Sequence, residues 1–193
     1  MLNILLLGPQ GAGKGTQGRL VSAEHGIPHI ATGDILRTAM AAGTELGRQV
    51  KPTYDAGGLV PDDVMIALIR ERLTSDDVAS GFVLDGFPRN AVQAEALDEM
   101  LEEIGRPLSV VLEFQLPEEV AVERLTRRAE EEGRADDTPE SIGRRLRLYH
   151  EQTEPLIEHY RARGSLVGIH ADRPVGEVFA EIQRALEQVA VRR

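Results

Sequence analysis

Cysteine is absent from the 193-residue chain, which excludes a disulfide scaffold, a thiolate zinc site, an iron–sulfur cluster and a cysteine nucleophile. Lysine is nearly absent: only Lys14 and Lys51 stand among 22 basic residues, and the rest are arginines. Scarcity makes each lysine informative, whereas a single arginine is by default a solvated surface residue. No apolar run approaches the roughly 20 residues of a membrane span. The apolar opening, residues 2–7, is too short for a signal peptide and lacks its basic leader. Positive charge does not prevail either. The formal net charge is −10, which argues against broad nucleic-acid or anionic-membrane binding. The expectation is a soluble cytoplasmic protein.

What is present is an ordinary globular balance, with 41% hydrophobic and 28% charged residues. The length suits one domain, able to bury about 70% of the surface its unfolded chain exposes. Five apolar runs read as strands: 3–7, 28–31, 81–84, 108–114 and 166–169. Helical patterns fill the intervals at about 14–25, 34–56 in two pieces, 61–74, 91–103, 117–131, 139–163 and 174–190. Near-continuous apolar strands alternating with helices predict an α/β fold, a five-stranded parallel sheet covered on both faces. Two segments break the rhythm: 33–60, rich in turn breakers, and the polar 129–138. Such insertions at strand ends are where binding loops sit. Pro155 should kink the long helix 139–163.

The strongest motif is Gly8-Pro-Gln-Gly11-Ala12-Gly13-Lys14-Gly15-Thr16, between the first strand and the first helix. Small residues let successive backbone N–H groups curl around phosphate oxygens, a helix N-terminus faces the anion, and the lysine neutralises the outer phosphates. Gly15 separates Lys14 from Thr16, so Thr16 is expected to meet a phosphate or a magnesium-bound water rather than to ligate the metal directly. Asp85 closes the third strand in Asp85-Gly86-Phe87-Pro88-Arg89, where a carboxylate holds magnesium through water. In Thr32-Gly33-Asp34-Ile35-Leu36-Arg37, Asp34 reads as a helix N-cap, whereas Arg37 has no such local need.

Taken in order with Asp55-Ala-Gly-Gly-Leu-Val-Pro-Asp62 and the late Arg134-Ala-Asp136-Asp137, these motifs resemble the adenylate kinases of the nucleoside monophosphate kinase family over residues 3 to about 178. The resemblance implies the phosphate-loop kinase fold as a single domain: a core of 1–32, 61–128 and 139–193, an AMP-binding lobe at 33–60 and a short lid at 129–138. It implies that Thr32 and Gln93 face the AMP base, with Gly33, Gly86 and the backbone at Leu59 and Val60 lining it. Arg37 and Arg89 would bind the AMP phosphate. Arg124 would pack on the ATP adenine, with Arg173 and Pro174 near its edge. Arg128, Arg134 and Arg145 would converge on the transferring phosphoryl group, with Asp136 and Asp137 at the lid hinge orienting them. Magnesium enters with ATP; the cysteine-free short lid implies no zinc, and a monomer is expected.

The implied chemistry is reversible transfer from ATP to AMP, giving two ADP. Such transfer needs in-line positioning and charge stabilisation more than covalent steps, which arginine's planar fork supplies. Thr32 favours AMP over the UMP or CMP of sister kinases, which tend to carry alanine there. A nucleotide-binding module without transfer is the other alternative. A guanine-reading switch would need Asn-Lys-x-Asp, and neither Asn3 nor Asn90 stands in one. The five histidines share no metal spacing and read as structural or surface residues.

Overall fold

The computed structural model describes residues 1–133 and 136–191. Its centre is β1, Leu2–Leu7, nearly all of it buried. The other strands are β2 (His29–Ala31), β3 (Gly81–Asp85), β4 (Val110–Gln115) and β5 (Leu166–His170). They lie in the order β2-β3-β1-β4-β5, all pairs parallel. Successive side chains of a strand point to opposite faces, and here both faces are dry. Leu5, Leu7, Ile30, Leu84 and Val111 pack with Ile69, Phe82, Leu97 and Tyr160. Ile4, Leu6, Val83, Val110 and Leu112 pack on the other face with Val21, Val178 and Ile182. That double burial is why the strands read as unbroken apolar runs.

The helices are α1 (Lys14–His25), α2 (Thr32–Ala41), α3 (Glu45–Asp55), α4 (Asp62–Leu73), α5 (Ala91–Glu103), α6 (Glu118–Glu132), α7 (Pro139–Leu148), α8 (Leu156–Ala162) and α9 (Val175–Val191). Side-chain caps start three of them. Thr44 accepts from Gly47 N for α3, Asn90 from Gln93 N for α5, and Thr138 from Ser141 N for α7. Helices α2 and α3 form the excursion at 33–60 and approach so closely that a Cβ on Gly47 would lie 2.1 Å from the Ala39 carbonyl oxygen. On the outer side of α3, Lys51 is 59% exposed and paired with Asp55.

Two local expectations are corrected. Asp34 is not an N-cap: β2 runs directly into α2, Ala31 holds the cap position without a side-chain bond, and Asp34 lies inside the first turn. The segment 139–163 is not one kinked helix. It breaks into α7, a π-helical turn at Tyr149–Thr153, and α8. The Glu154 N–H reaches back to Tyr149 O at 2.8 Å, and the wide turn takes up the missing donor and the ring of Pro155. The helix expected over 117–131 is α6, which runs to Glu132 and ends on Gly133 with φ 61°.

Candidate functional site

With β1 central, the loop that follows it opens between the carboxyl ends of its two neighbours, the usual place for a ligand in a parallel sheet. A cavity of about 390 Å³ lies there. Its floor is the 8–13 loop. Gly11 must be glycine, since its φ is +84° and a Cβ would sit 2.8 Å from Ala121 O. Helix α1 starts at Lys14 with no side-chain cap, so its first N–H groups remain available to an anion. Gly11, Gly13, Lys14, Gly15 and Thr16 all line the cavity, whereas the Ala12 methyl is buried in the core.

Lys14 donates to Gly8 O and Pro9 O, each at 2.7 Å. Desolvation is the main reason its pKa drops to about 8; the nearby Asp85 charge opposes the drop, and Arg89 and Arg128 add to it. Asp85 stands across from it, 13% exposed, with His29 Nε2 at 3.6 Å. At that distance the contact is electrostatic rather than a hydrogen bond. Burial pushes the Asp85 carboxyl up, but His29, Lys14 and Arg89 together hold it below the ordinary value. The imidazole fits because α1 carries Gly18 beside it, where a Cβ would come within 2.5 Å of His29 Nε2.

The far end of the cavity is built by β2, α2, α4 and the β3–α5 loop. Thr32 is 1% exposed and its hydroxyl donates to Asp85 O at 3.3 Å. Gly33, Leu59, Val60, Gly86 and Gln93 line the wall beside it. Arg37 is held by Asp34 and by the Tyr54 hydroxyl, the latter at 2.6 Å. Arg89 donates through Nε to Gly86 O at 2.8 Å. Burial and the like charge of Arg145 lower its pKa, against the opposing pull of Tyr54 and Asp85.

Arg124, Arg128 and Arg145 also line the cavity. Arg124 bonds Ala171 O at 2.8 Å. Asp137, wholly buried, accepts from Arg128 Nε and Arg145 Nη1, both at 2.7 Å, and Asp136 accepts from Arg145 Nη2 at 2.9 Å. Arg145 also stacks over the Tyr54 ring, 5.4 Å from its centroid. The two carboxylates therefore stand behind the arginines, outside the cavity wall. Arg173 and Pro174 do not line it either. Arg173 pairs with Glu181, while Gln17 holds the following Val175 O at 2.9 Å. Arg134 lies outside the described residues.

Sequence reasoning missed Tyr54, whose hydroxyl and ring engage two of the arginines, and the approach of His29 to Asp85. It also missed Tyr149 and Thr153 on the cavity wall. Tyr54 was findable as an aromatic, rare in this chain, immediately before the Asp-Ala-Gly motif.

A glycine loop after the central strand, opening a helix without a side-chain cap at a cavity that Arg89, Arg128 and Arg145 also line, defines a phosphate-loop protein. Comparison with known proteins narrows the class. The model of the family described as "Adenylate kinase" matches residues 6–165. The chain is 47% identical to adenylate kinase of Stenotrophomonas maltophilia (strain K279a) over 186 residues, 96% of this chain and 100% of that protein. It is 47% identical to adenylate kinase of Thermobifida fusca over 189 residues, 98% and 100% of the two chains. It is also 42% identical to that of Archaeoglobus fulgidus, covering 97% and 99%. The chain belongs to the adenylate kinase family.

Proposed function

We infer that the protein transfers the terminal phosphoryl group of MgATP reversibly to AMP, giving two ADP. The observation that carries this reading is that one cavity is lined by the phosphate loop, by Thr32 and Gln93, and by Arg89, Arg128 and Arg145. In this reading the 8–16 loop and Lys14 hold the ATP phosphates, and Arg124 covers the adenine with Arg173 and Pro174 near its edge. Arg37 and Arg89 hold the acceptor phosphate. Arg128 and Arg145, with Arg134, stabilise charge on the group in flight; one such arginine is worth roughly 10³–10⁵ in rate. Asp136 and Asp137 fix two of these guanidinium groups, so little reorganisation is left for the reacting complex.

The donor set also fits magnesium. Asp85, kept ionised by its neighbours, and the Thr16 hydroxyl are hard oxygens beside the phosphate loop, suited to an ion that keeps several waters. Bound with the nucleotide, the ion would supply neutralisation of the developing phosphate charge. A thiolate zinc site is excluded by the absence of cysteine. Closure of the 33–60 lobe and the 129–138 lid over the core would exclude water, which otherwise would accept the phosphoryl group. No helix among the described residues is long and apolar enough to cross a membrane; a cytoplasmic monomer is part of the proposal.

The test is steady-state ADP formation from MgATP with AMP, UMP, CMP or GMP as acceptor. Turnover concentrated on AMP is the expected result. Preference for UMP or CMP keeps the transfer and overturns the base assignment. ATP binding without turnover on any acceptor overturns the reading as an enzyme.

A further inference from the structure

Gln93, 2% exposed and on the cavity wall, has its side-chain amide gripped at both ends. Its Oε1 accepts from the Arg89 backbone N–H at 2.8 Å. Its Nε2 donates to Asp62 Oδ1 at 2.7 Å. The same Asp62 oxygen accepts from Asn90 Nδ2 at 2.8 Å, and Asn90 in turn caps α5 by accepting from Gln93 N at 3.0 Å. Asp62 is the first residue of α4, so one carboxylate ties the start of α4 to the start of α5.

The chemistry of these partners is asymmetric. A carboxylate only accepts hydrogen bonds and a backbone N–H only donates. Turning the Gln93 amide by 180° would set its oxygen against Asp62 and its NH₂ against the Arg89 N–H, two repulsive pairs in place of two bonds. The amide therefore has one orientation. It keeps one spare N–H and one spare oxygen lone pair, in fixed order, for whatever meets its edge. A 6-aminopurine offers a ring-nitrogen acceptor and an amino donor on its Watson–Crick edge, and a 6-oxopurine offers the reverse.

We propose that Asp62 is a positioning residue for base selection: by fixing the Gln93 amide it makes the acceptor pocket read 6-aminopurine and reject 6-oxopurine monophosphates. This rests on the reading of the acceptor pocket given above, with Gln93 at the base. Asp62 does not line the cavity and touches no reacting group; it acts through Gln93. Discrimination by a hydrogen-bonding pocket is lost when a polar partner can reorient, at about tenfold for a bond of about 1.4 kcal/mol net strength.

The experiment measures kcat and KM for AMP and for IMP in the parent, Asp62→Ala, Asp62→Asn and Gln93→Ala, with the KM for MgATP as an internal control. Asp62→Ala should lower the AMP-to-IMP ratio of kcat/KM by about tenfold, mainly by raising KM for AMP and lowering that for IMP. Its kcat and its KM for MgATP should stay near the parent's. Asp62→Asn, which keeps an acceptor oxygen at that position, should restore most of the ratio. If Asp62→Ala weakens AMP and IMP in the same proportion, Asp62 merely supports the fold and the proposal is overturned. If Gln93→Ala leaves the ratio unmoved, the base reading by Gln93 fails, and the proposal falls with it. A ratio that moves in Gln93→Ala but not in Asp62→Ala overturns the role of Asp62 alone.

Discussion

Asp137→Ala isolates what the paired carboxylates contribute. The side chain is wholly buried and meets two guanidinium groups, Arg128 at 2.6 Å and Arg145 at 2.7 Å. Removing one partner of a buried ion pair costs roughly 3–5 kcal/mol, because the remaining charge loses its compensation. Two features place this case at the lower end. Arg145, itself 9% exposed, keeps Asp136 at 2.9 Å, and Arg128 is 30% exposed, so water screens part of its loss. A loss of about 3 kcal/mol corresponds to a fall in melting temperature of roughly 6–12 °C for a chain of this size. Circular dichroism melts in low and high salt are the assay. Salt should shift both proteins' melting points by similar amounts, since screening reaches buried pairs poorly. Transfer should slow as well, because Arg128 and Arg145 lose the acceptor that aims them. An alanine variant melting within about 2 °C of the parent, a change under roughly 1 kcal/mol, would refute the reasoning.

Three further outcomes follow from other contacts. With the Lys14 pKa lowered to about 8 by burial, kcat/KM for MgATP should be level below pH 8 and fall about tenfold per unit above it as the cation is lost; a profile flat from about pH 7 to 10 would remove Lys14 from phosphate binding. The same depression means that the unfolded chain holds this proton more tightly than the folded one, so this group's share of stability rises between about pH 8 and the unfolded value near 10.5. Gly47→Ala forces a Cβ to 2.1 Å from Ala39 O and 2.6 Å from Met40 N, both backbone; α2 and α3 must part at about 1–3 kcal/mol, raising KM for AMP more than KM for MgATP, and equal effects on the two would contradict the lobe assignment. Arg89→Ala should lower kcat by roughly 10³ with an unchanged far-UV spectrum, and near-parental turnover would take Arg89 out of the transfer step.

The sequence was most readable where function and fold are local. The run from Gly8 to Thr16 carries its own turn geometry, and the strands declare themselves because both faces of the sheet are buried. What escaped depends on chain segments far apart in sequence. Tyr54 meets Arg37 17 residues away, and its carbonyl accepts from Arg145 91 residues away; no window of sequence holds such pairs. Asp34 was misread because Thr-Gly-Asp has the look of a cap, while the direct passage from β2 into α2 moves the helix start two residues earlier. Asp62 sits in the motif Leu-Val-Pro-Asp, yet its bond to Gln93 emerges only when α4 and α5 are set side by side.

The near-absence of lysine gives the molecule a built-in address for chemical labelling. Besides the terminal amine, its primary amines are Lys14, recessed on the cavity floor with two carbonyls on its nitrogen, and Lys51, facing solvent on α3. An amine-directed dye therefore reports from the amino terminus and from the outer side of the α2–α3 hairpin, without engineered cysteines. Protection of Lys14 from the same reagent by added nucleotide would read out occupancy of the phosphate loop in the unmodified protein.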